Sequence, residues 1–322
     1  MSRLPIALTL GDPAGIGPEV AARVAADPPD TVKPVLVGRA VDLAIAAERT
    51  GLSLGTLERS FVACDPGERV RPGCDSAEGG KAAHAAVVRA VELARSQAVA
   101  GITTAPISKR SLAMAGLPFA GHTELLGQLA GVKTPRMVFV VENQRVALLT
   151  THIPLREVAN LVTQPQVAAA IRDLNRALIE EFGEQNAPIR VAALNPHLGE
   201  GGVLGTEERD AIAPAIKETR AEGLRVSGPV RPEDLFVSLG ATAVEGVLAL
   251  YHDQALGPLK GRHGLNMVNV TIGLPFVRTS PDHGTAYDIV GSPAVSDHGM
   301  RLATEWAARL WNLRQGNCED RL

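Results

Sequence analysis

The stretch Pro5–Ala26, PIALTLGDPAGIGPEVAARVAA, passes from a short apolar run through a turn rich in Gly and Pro into an Ala-rich amphipathic segment. Pro18 suits the first turn of a helix, so the stretch predicts a buried strand, a tight loop and a helix in that order. The loop GDPAGIGPE, Gly11 to Glu19, has neither GxGxxG nor GxxxxGK[ST] spacing, and so predicts neither a standard dinucleotide fingerprint nor a P-loop. The same alternation continues along the chain. Strands are predicted at Pro5–Leu10, Pro34–Val37, Ala98–Thr103, Val138–Val141, Val146–Thr150, Arg190–Leu194 and Gly246–Leu250. Helices are predicted at Pro18–Ala26, Gly80–Ser96, Thr123–Ala130, Pro154–Leu161, Pro165–Phe182, Glu207–Glu222 and His298–Leu313. This pattern gives an α/β fold with a mostly parallel sheet covered by helices on both faces.

A chain of 322 residues is long enough for about two domains. Punctuation by GVKTP near Val132 and by the Gly/Pro-rich segment Gly273–Pro293 predicts a first α/β domain over 1–131 plus 285–322, and a second over 132–284 that carries most metal and substrate residues. A net charge of −3 without a basic stripe gives nucleic-acid binding no electrostatic support. Three cysteines without CxxC spacing argue against a zinc ribbon or a disulfide framework. No window approaches the roughly 20 apolar residues of a membrane span, and a cytoplasmic protein without a membrane partner is expected.

Three predicted strands end alike. RVALLTTHIP delivers His152, IRVAALNPH delivers His197 and GVLALYHDQ delivers His252. Ligands of open α/β sheets bind beyond the carboxyl ends of strands, and three imidazoles with an open position suit a catalytic divalent metal. In GHTELLG, Thr123 is a candidate N-cap after His122, and the same helix start is a candidate seat for an anion. Downstream lie Lys260, one of only six lysines, then Asn269 and Arg278. Arg278 follows the apolar run LPFV and should be partly buried, which requires an anionic partner: an internal carboxylate or a substrate phosphate.

Together GDPAGIGPE, TAPISK, GHTE, TTHIPL, LNPHLGE, YHDQ, the Lys260-to-Arg278 spacing and RTSPDHGTAYDI resemble the 4-hydroxythreonine-4-phosphate dehydrogenase family of pyridoxal phosphate biosynthesis. The resemblance runs from Ile6 to about Gly291 in unchanged order. It implies two α/β/α domains around a cleft, like the isocitrate and isopropylmalate dehydrogenases and unlike a standard Rossmann fold. It further implies NAD, or NADP, as cofactor and a divalent metal (Zn, Mg or Co) on His152, His197 and His252. His122, Thr123, Lys260, Asn269 and Arg278 would contact a phosphorylated small-molecule substrate, and a homodimer would share the active site, one metal histidine coming from the partner subunit. The position of YHDQ, about 55 residues beyond His197, makes His252 the candidate for that role. Asp253 and Lys260 are the candidate general bases. The segment GRHGLNMVN departs from the usual family sequence while keeping the Lys-to-Asn spacing. Related enzymes oxidise 4-phosphorylated threonate or erythronate, and a metal-dependent lyase or hydrolase is a rival use of three histidines.

Overall fold

The computed structural model describes residues 3–64, 67–119, 121–237 and 243–319. In chain order the elements are β1 (Leu4–Thr9), α1 (Gly17–Ala26), β2 (Val32–Gly38), α2 (Ala40–Thr50), α3 (Leu54–Glu58), β3 (Phe61–Ala63), α4 (Ala77–Arg95), β4 (Gly101–Thr104), α5 (Lys109–Met114), α6 (His122–Ala130), β5 (Arg136–Val141), β6 (Gln144–Leu148), α7 (Val158–Leu161), α8 (Gln164–Glu180), β7 (Ile189–Ala192), α9 (Ala213–Ala221), β8 (Val226–Val230), α10 (Pro232–Val237), β9 (Glu245–Ala249), α11 (His252–His263), β10 (Val268–Ile272), β11 (Val277–Pro281) and α12 (His298–Glu319). The chain divides into two compact units, 1–135 with 265–312, and 136–264 with 313–322.

In the first unit the strands run in the order β3-β2-β1-β4-β11-β10. All neighbours are parallel except the β10–β11 pair. β1, β2 and β3 are mostly apolar, as burial on both faces demands, whereas β4 carries two buried threonines and β11 the buried Arg278, Thr279 and Ser280. Ala7, Val37 and Ile102 pack with Val87, Ala90, Val91 and Ala94 of α4 and with Leu125 and Leu126 of α6. Ser76 caps α4, its Oγ accepting the Gly79 amide at 3.0 Å. The small residues along α4 let it approach its neighbours closely, and a Cβ on Gly80 would run into the Ser111 carbonyl.

In the second unit the order is β5-β6-β9-β7-β8, parallel except for the β5–β6 hairpin. Val167, Ala168, Ala170, Ile171, Leu174, Ala177 and Leu178 form the buried stripe of α8. Gly246 leaves room for that stripe: a Cβ there would sit 2.9 Å from Leu178 and 3.1 Å from Ile189.

The mostly parallel α/β architecture agrees with the sequence pattern, and every predicted strand and helix has a counterpart. The division of the chain differs. It returns to the first unit at Leu265 rather than after 284, because β11 hydrogen-bonds to β4 and carries β10 with it. Asn269 and Arg278 therefore belong to the first unit.

Gly80 and Gly55 test this packing as a pair. Gly80→Ala should lower the melting temperature, since forcing a methyl against a backbone carbonyl costs about 1–3 kcal/mol and outweighs the helix-propensity gain of up to about 1 kcal/mol. Gly55, inside α3 with open space around it, should gain stability when changed to Ala. Calorimetry showing Gly80→Ala as stable as the parent would mean α4 does not lie against Ser111.

Candidate active site

Arg278 lies in the middle strand of the β4-β11-β10 trio and is 1% exposed. Its terminal nitrogens donate to two neutral hydroxyls, Nη1 to Thr271 Oγ1 at 2.8 Å and Nη2 to Thr104 Oγ1 at 2.6 Å. Its Nε is buried without a hydrogen-bond partner, and none of its observed partners is a carboxylate. Of the two partners the sequence left open, the internal carboxylate is thus not the one found among the described residues. Burial pushes the guanidinium down to about 9. A buried cation held only by neutral groups calls for an anion.

His122 opens α6, with Gly121 at the N-cap position and no side-chain cap. Thr123 is consequently the second helical residue, not the cap, because the chain enters the helix through the extended glycine. The Nε2 of His122 is buried and unpartnered, and burial, then the neighbouring positive Arg278, hold the ring well below the usual histidine range. The Oδ1 of Asn269, in β10, is likewise buried without a partner. The first unit therefore holds Arg278 and His122, with Asn269 on the strand beside Arg278, each with one buried polar atom that lacks a hydrogen-bond partner.

Three motif loops interlock in the same unit. The Ile16 amide donates to the Thr285 carbonyl at 2.9 Å, and the Asp12 amide to the Pro106 carbonyl at 2.9 Å. The Tyr287 hydroxyl donates to Asp12 at 2.8 Å and lies 3.2 Å from Asp75, while burial pushes the phenol up to about 12. Gly11, at φ 69°, cannot take a side chain there because its Cβ would meet the Pro106 carbonyl. Asp12, Asp75 and Tyr287 were not singled out from the sequence; only the motifs GDPAG and GTAYD pointed toward two of them.

The second unit holds the three strand-end histidines. The rings of His152 and His252 lie 5.8 Å apart, centroid to centroid. His252 starts α11, and its Nδ1 is 2.7 Å from Asp253 Oδ1, which leaves Nε2 to act as a ligand. Asp253 thus orients an imidazole. Lys260 lies eight residues further along α11, roughly 12 Å along the axis. Among the described residues no three His, Cys, Asp or Glu side chains come together to hold a metal, so His197 does not join the His152–His252 pair within one chain. β6 and β9 are paired neighbours and deliver His152 and His252 side by side within one chain.

His197 sits in a left-handed turn in which residues 197 to 201 all have φ between 43° and 74°. A buried carboxylate anchors this turn: Glu208 accepts the amides of Leu194 at 2.8 Å and Asn195 at 2.7 Å, and the Asn195 side chain at 2.9 Å. Nothing in the sequence reading marked Glu208, which was placed in a helix; it starts a π-helical turn, Glu208–Ile212, ahead of α9.

Residues 32–307 match the family described as pyridoxal phosphate biosynthetic protein PdxA. The chain belongs to this family. It is 40% identical to a 4-hydroxythreonine-4-phosphate dehydrogenase of Acidithiobacillus ferrooxidans, over 97% of this chain and 98% of that one. It is 38% identical to a D-threonate 4-phosphate dehydrogenase of Bordetella bronchiseptica, over 96% and 93%. The structure resembles that of a 4-hydroxythreonine-4-phosphate dehydrogenase from Klebsiella pneumoniae with a TM-score of 0.81 and 36% identity, covering 97% of this chain and 98% of that one.

The buried neutral His122 fixes a pH dependence of stability. Its folded pKa is depressed, so the unfolded chain takes up the proton first, near 6.5, and stability present above that pH is lost as the pH falls, by at most about 1.4 kcal/mol per unit. Urea unfolding at pH 8, 7, 6 and 5 should show a steeper loss for the parent than for His122→Asn. Parallel curves would mean that the ring is not held neutral.

Proposed function

We propose that the chain is a dehydrogenase that oxidises the secondary hydroxyl of a 4-phosphorylated four-carbon hydroxy acid, with 4-hydroxythreonine 4-phosphate as substrate in pyridoxal phosphate biosynthesis. The observation that carries the reading is Arg278, a buried cation whose partners are two hydroxyls and whose buried Nε has no hydrogen-bond partner. A phosphate dianion supplies the missing charge through charge-assisted hydrogen bonds. His122, held neutral, offers a ring nitrogen to the same ligand without competing for its charge, and the unpartnered Oδ1 of Asn269, an acceptor, would take a hydrogen bond from an O–H or N–H of the substrate. Thr123 and Lys260 complete the assigned substrate set. NAD, or NADP, is the proposed hydride acceptor.

The histidine pair fits a divalent metal. Two imidazoles sharing one ion at about 2.1 Å place their ring centroids roughly 5 to 6 Å apart, and the Nδ1 of His252 is already engaged by Asp253. A bound metal (Zn, Mg or Co) would act as a Lewis acid on the substrate hydroxyl and on the carbonyl it becomes, favouring loss of the carboxylate beta to it. Within the chain, Asp253 fixes the tautomer of His252, and Lys260 remains the candidate for proton transfer. His197 is the proposed third ligand, contributed by the partner subunit of a homodimer.

D-threonate 4-phosphate is the second reading, favoured by relatives of that name at comparable identity. Both acids carry the phosphate that Arg278 would recognise. Metal-replete enzyme given NAD and each acid in turn should form NADH, and the larger kcat/KM identifies the substrate. Arg278→Ala should raise KM for the phosphorylated acid by about ten- to a hundredfold and leave an unphosphorylated analogue little changed. Equal losses on both would make Arg278 a structural residue.

The shared site is tested by subunit exchange between inactive variants. His197→Ala mixed with His152→Ala should recover activity in about a quarter of all sites, since one site of each heterodimer regains every ligand. His152→Ala mixed with His252→Ala should recover none. The opposite pattern, with exchange verified, would return His252 to the partner's role.

A further inference from the structure

We infer that Thr104 and Thr271 belong to the anion-binding machinery: each hydroxyl accepts from the Arg278 guanidinium and donates its own proton to the bound anion. The inference rests on the phosphate reading above and adds two ligand contacts to it.

Arg278 lies on β11 between β4 and β10, so its guanidinium reaches one threonine on each side, Thr104 at the end of β4 and Thr271 within β10. Both side chains are buried, 1% and 0% exposed. A hydroxyl carries one proton to give and two lone pairs to accept with. The Arg278 N–H groups occupy a lone pair on each oxygen, which leaves each proton to be placed. Among the described residues four other buried threonines place it on a backbone carbonyl, Thr150 on Leu250, Thr219 on Ala215, Thr279 on Ala303 and Thr304 on Met300, and Thr103 pairs with the Thr279 hydroxyl. Among the described residues, Thr104 and Thr271 make no such donation; their observed bonds are those from Arg278. Thr9, which accepts from the Ala105 amide, lies outside this Arg-centred pair.

A buried O–H without an acceptor is costly to keep unless a ligand satisfies it. The neighbourhood names that ligand's chemistry. The Nε of Arg278 and the two hydroxyl protons are all donors next to a fixed positive charge, so the complementary group is an oxyanion with several acceptor oxygens, as in a phosphate monoester. Two neutral hydroxyls hold the guanidinium in place without neutralising it, whereas a carboxylate in either position would satisfy Arg278 internally and compete with the ligand.

The experiment compares Thr104→Val, Thr271→Val and the corresponding serine variants, with Arg278→Lys as reference. KM for the phosphorylated acid is measured alongside calorimetric binding of inorganic phosphate. Each valine should raise KM and the phosphate Kd about tenfold and move kcat less, while each serine stays within about twofold of the parent. Valine variants with native circular dichroism and unchanged phosphate affinity would overturn the inference. Should a valine variant fail to fold, alanine against serine at the same position gives the same contrast. If Arg278→Lys also leaves phosphate binding unchanged, the phosphate reading itself fails; if only the threonine variants are silent, the reading stands and the bridging role is lost.

Discussion

Arg278 enters the interior of the first unit on a strand flanked by two others, and the partners it finds there are hydroxyls instead of a carboxylate. Burying an unpaired charge is among the most expensive things a fold can do, and hydrogen bonds from neutral groups recover only part of the cost. The protein tolerates it because β4, β11 and β10 are locked by backbone ladders and by an apolar layer beneath them. On the proposed reading the penalty stored there would be released when an anion arrives, so ligand binding and folding stability would be coupled at Arg278, with phosphate acting as a stabiliser by mass action.

The second unit solves a different problem, that of presenting imidazoles at an exposed edge without letting them wander. His152 and His252 follow adjacent parallel strands, β6 and β9, so backbone register alone brings their rings to 5.8 Å. His197 needs a costlier device. Its turn holds non-glycine residues His197, Leu198 and Glu200 at positive φ, a conformation worth roughly 1–3 kcal/mol of strain per residue. Glu208 offsets it by tying Leu194 and Asn195 into one carboxylate, while Gly199 and Gly205 remove the side chains that would collide with Glu208 and Asn195.

Much of this was legible in the sequence for physical reasons. Strands buried on both faces must be nearly continuous apolar runs, which is why the parallel strands β1, β2, β4, β6, β7 and β9 and the antiparallel β5 are visible as such, and a histidine soon after such a run marks the carboxyl edge. Elements that break the rule were not seen. β11 carries a buried arginine and two buried hydroxyls in Val277–Pro281, and β10 carries Asn269, so polar content masked both strands and shifted the domain boundary. α11 contains Pro258 and several polar residues, and it has little amphipathic periodicity to detect. Thr123 looked like a cap because capping chemistry favours threonine, yet the extended Gly121 takes that position.

The substrate's two ends make unequal demands on such a site. On the proposed reading, the phosphate that Arg278, its hydroxyls and a neutral His122 would recognise is common to 4-hydroxythreonine 4-phosphate and D-threonate 4-phosphate, so the anion end would set the class of acid and its orientation but contribute nothing to the choice between them. The two differ at C2, where one bears an ammonium and the other a hydroxyl. A carboxylate or an unpaired acceptor facing C2 favours the ammonium, whereas a donor favours the hydroxyl, and a difference of about 1.4 kcal/mol already separates them tenfold. On that reading, discrimination at that carbon can change through a single side chain while the buried arginine stays as it is, and relatives of both names lie at nearly equal sequence distance from this chain.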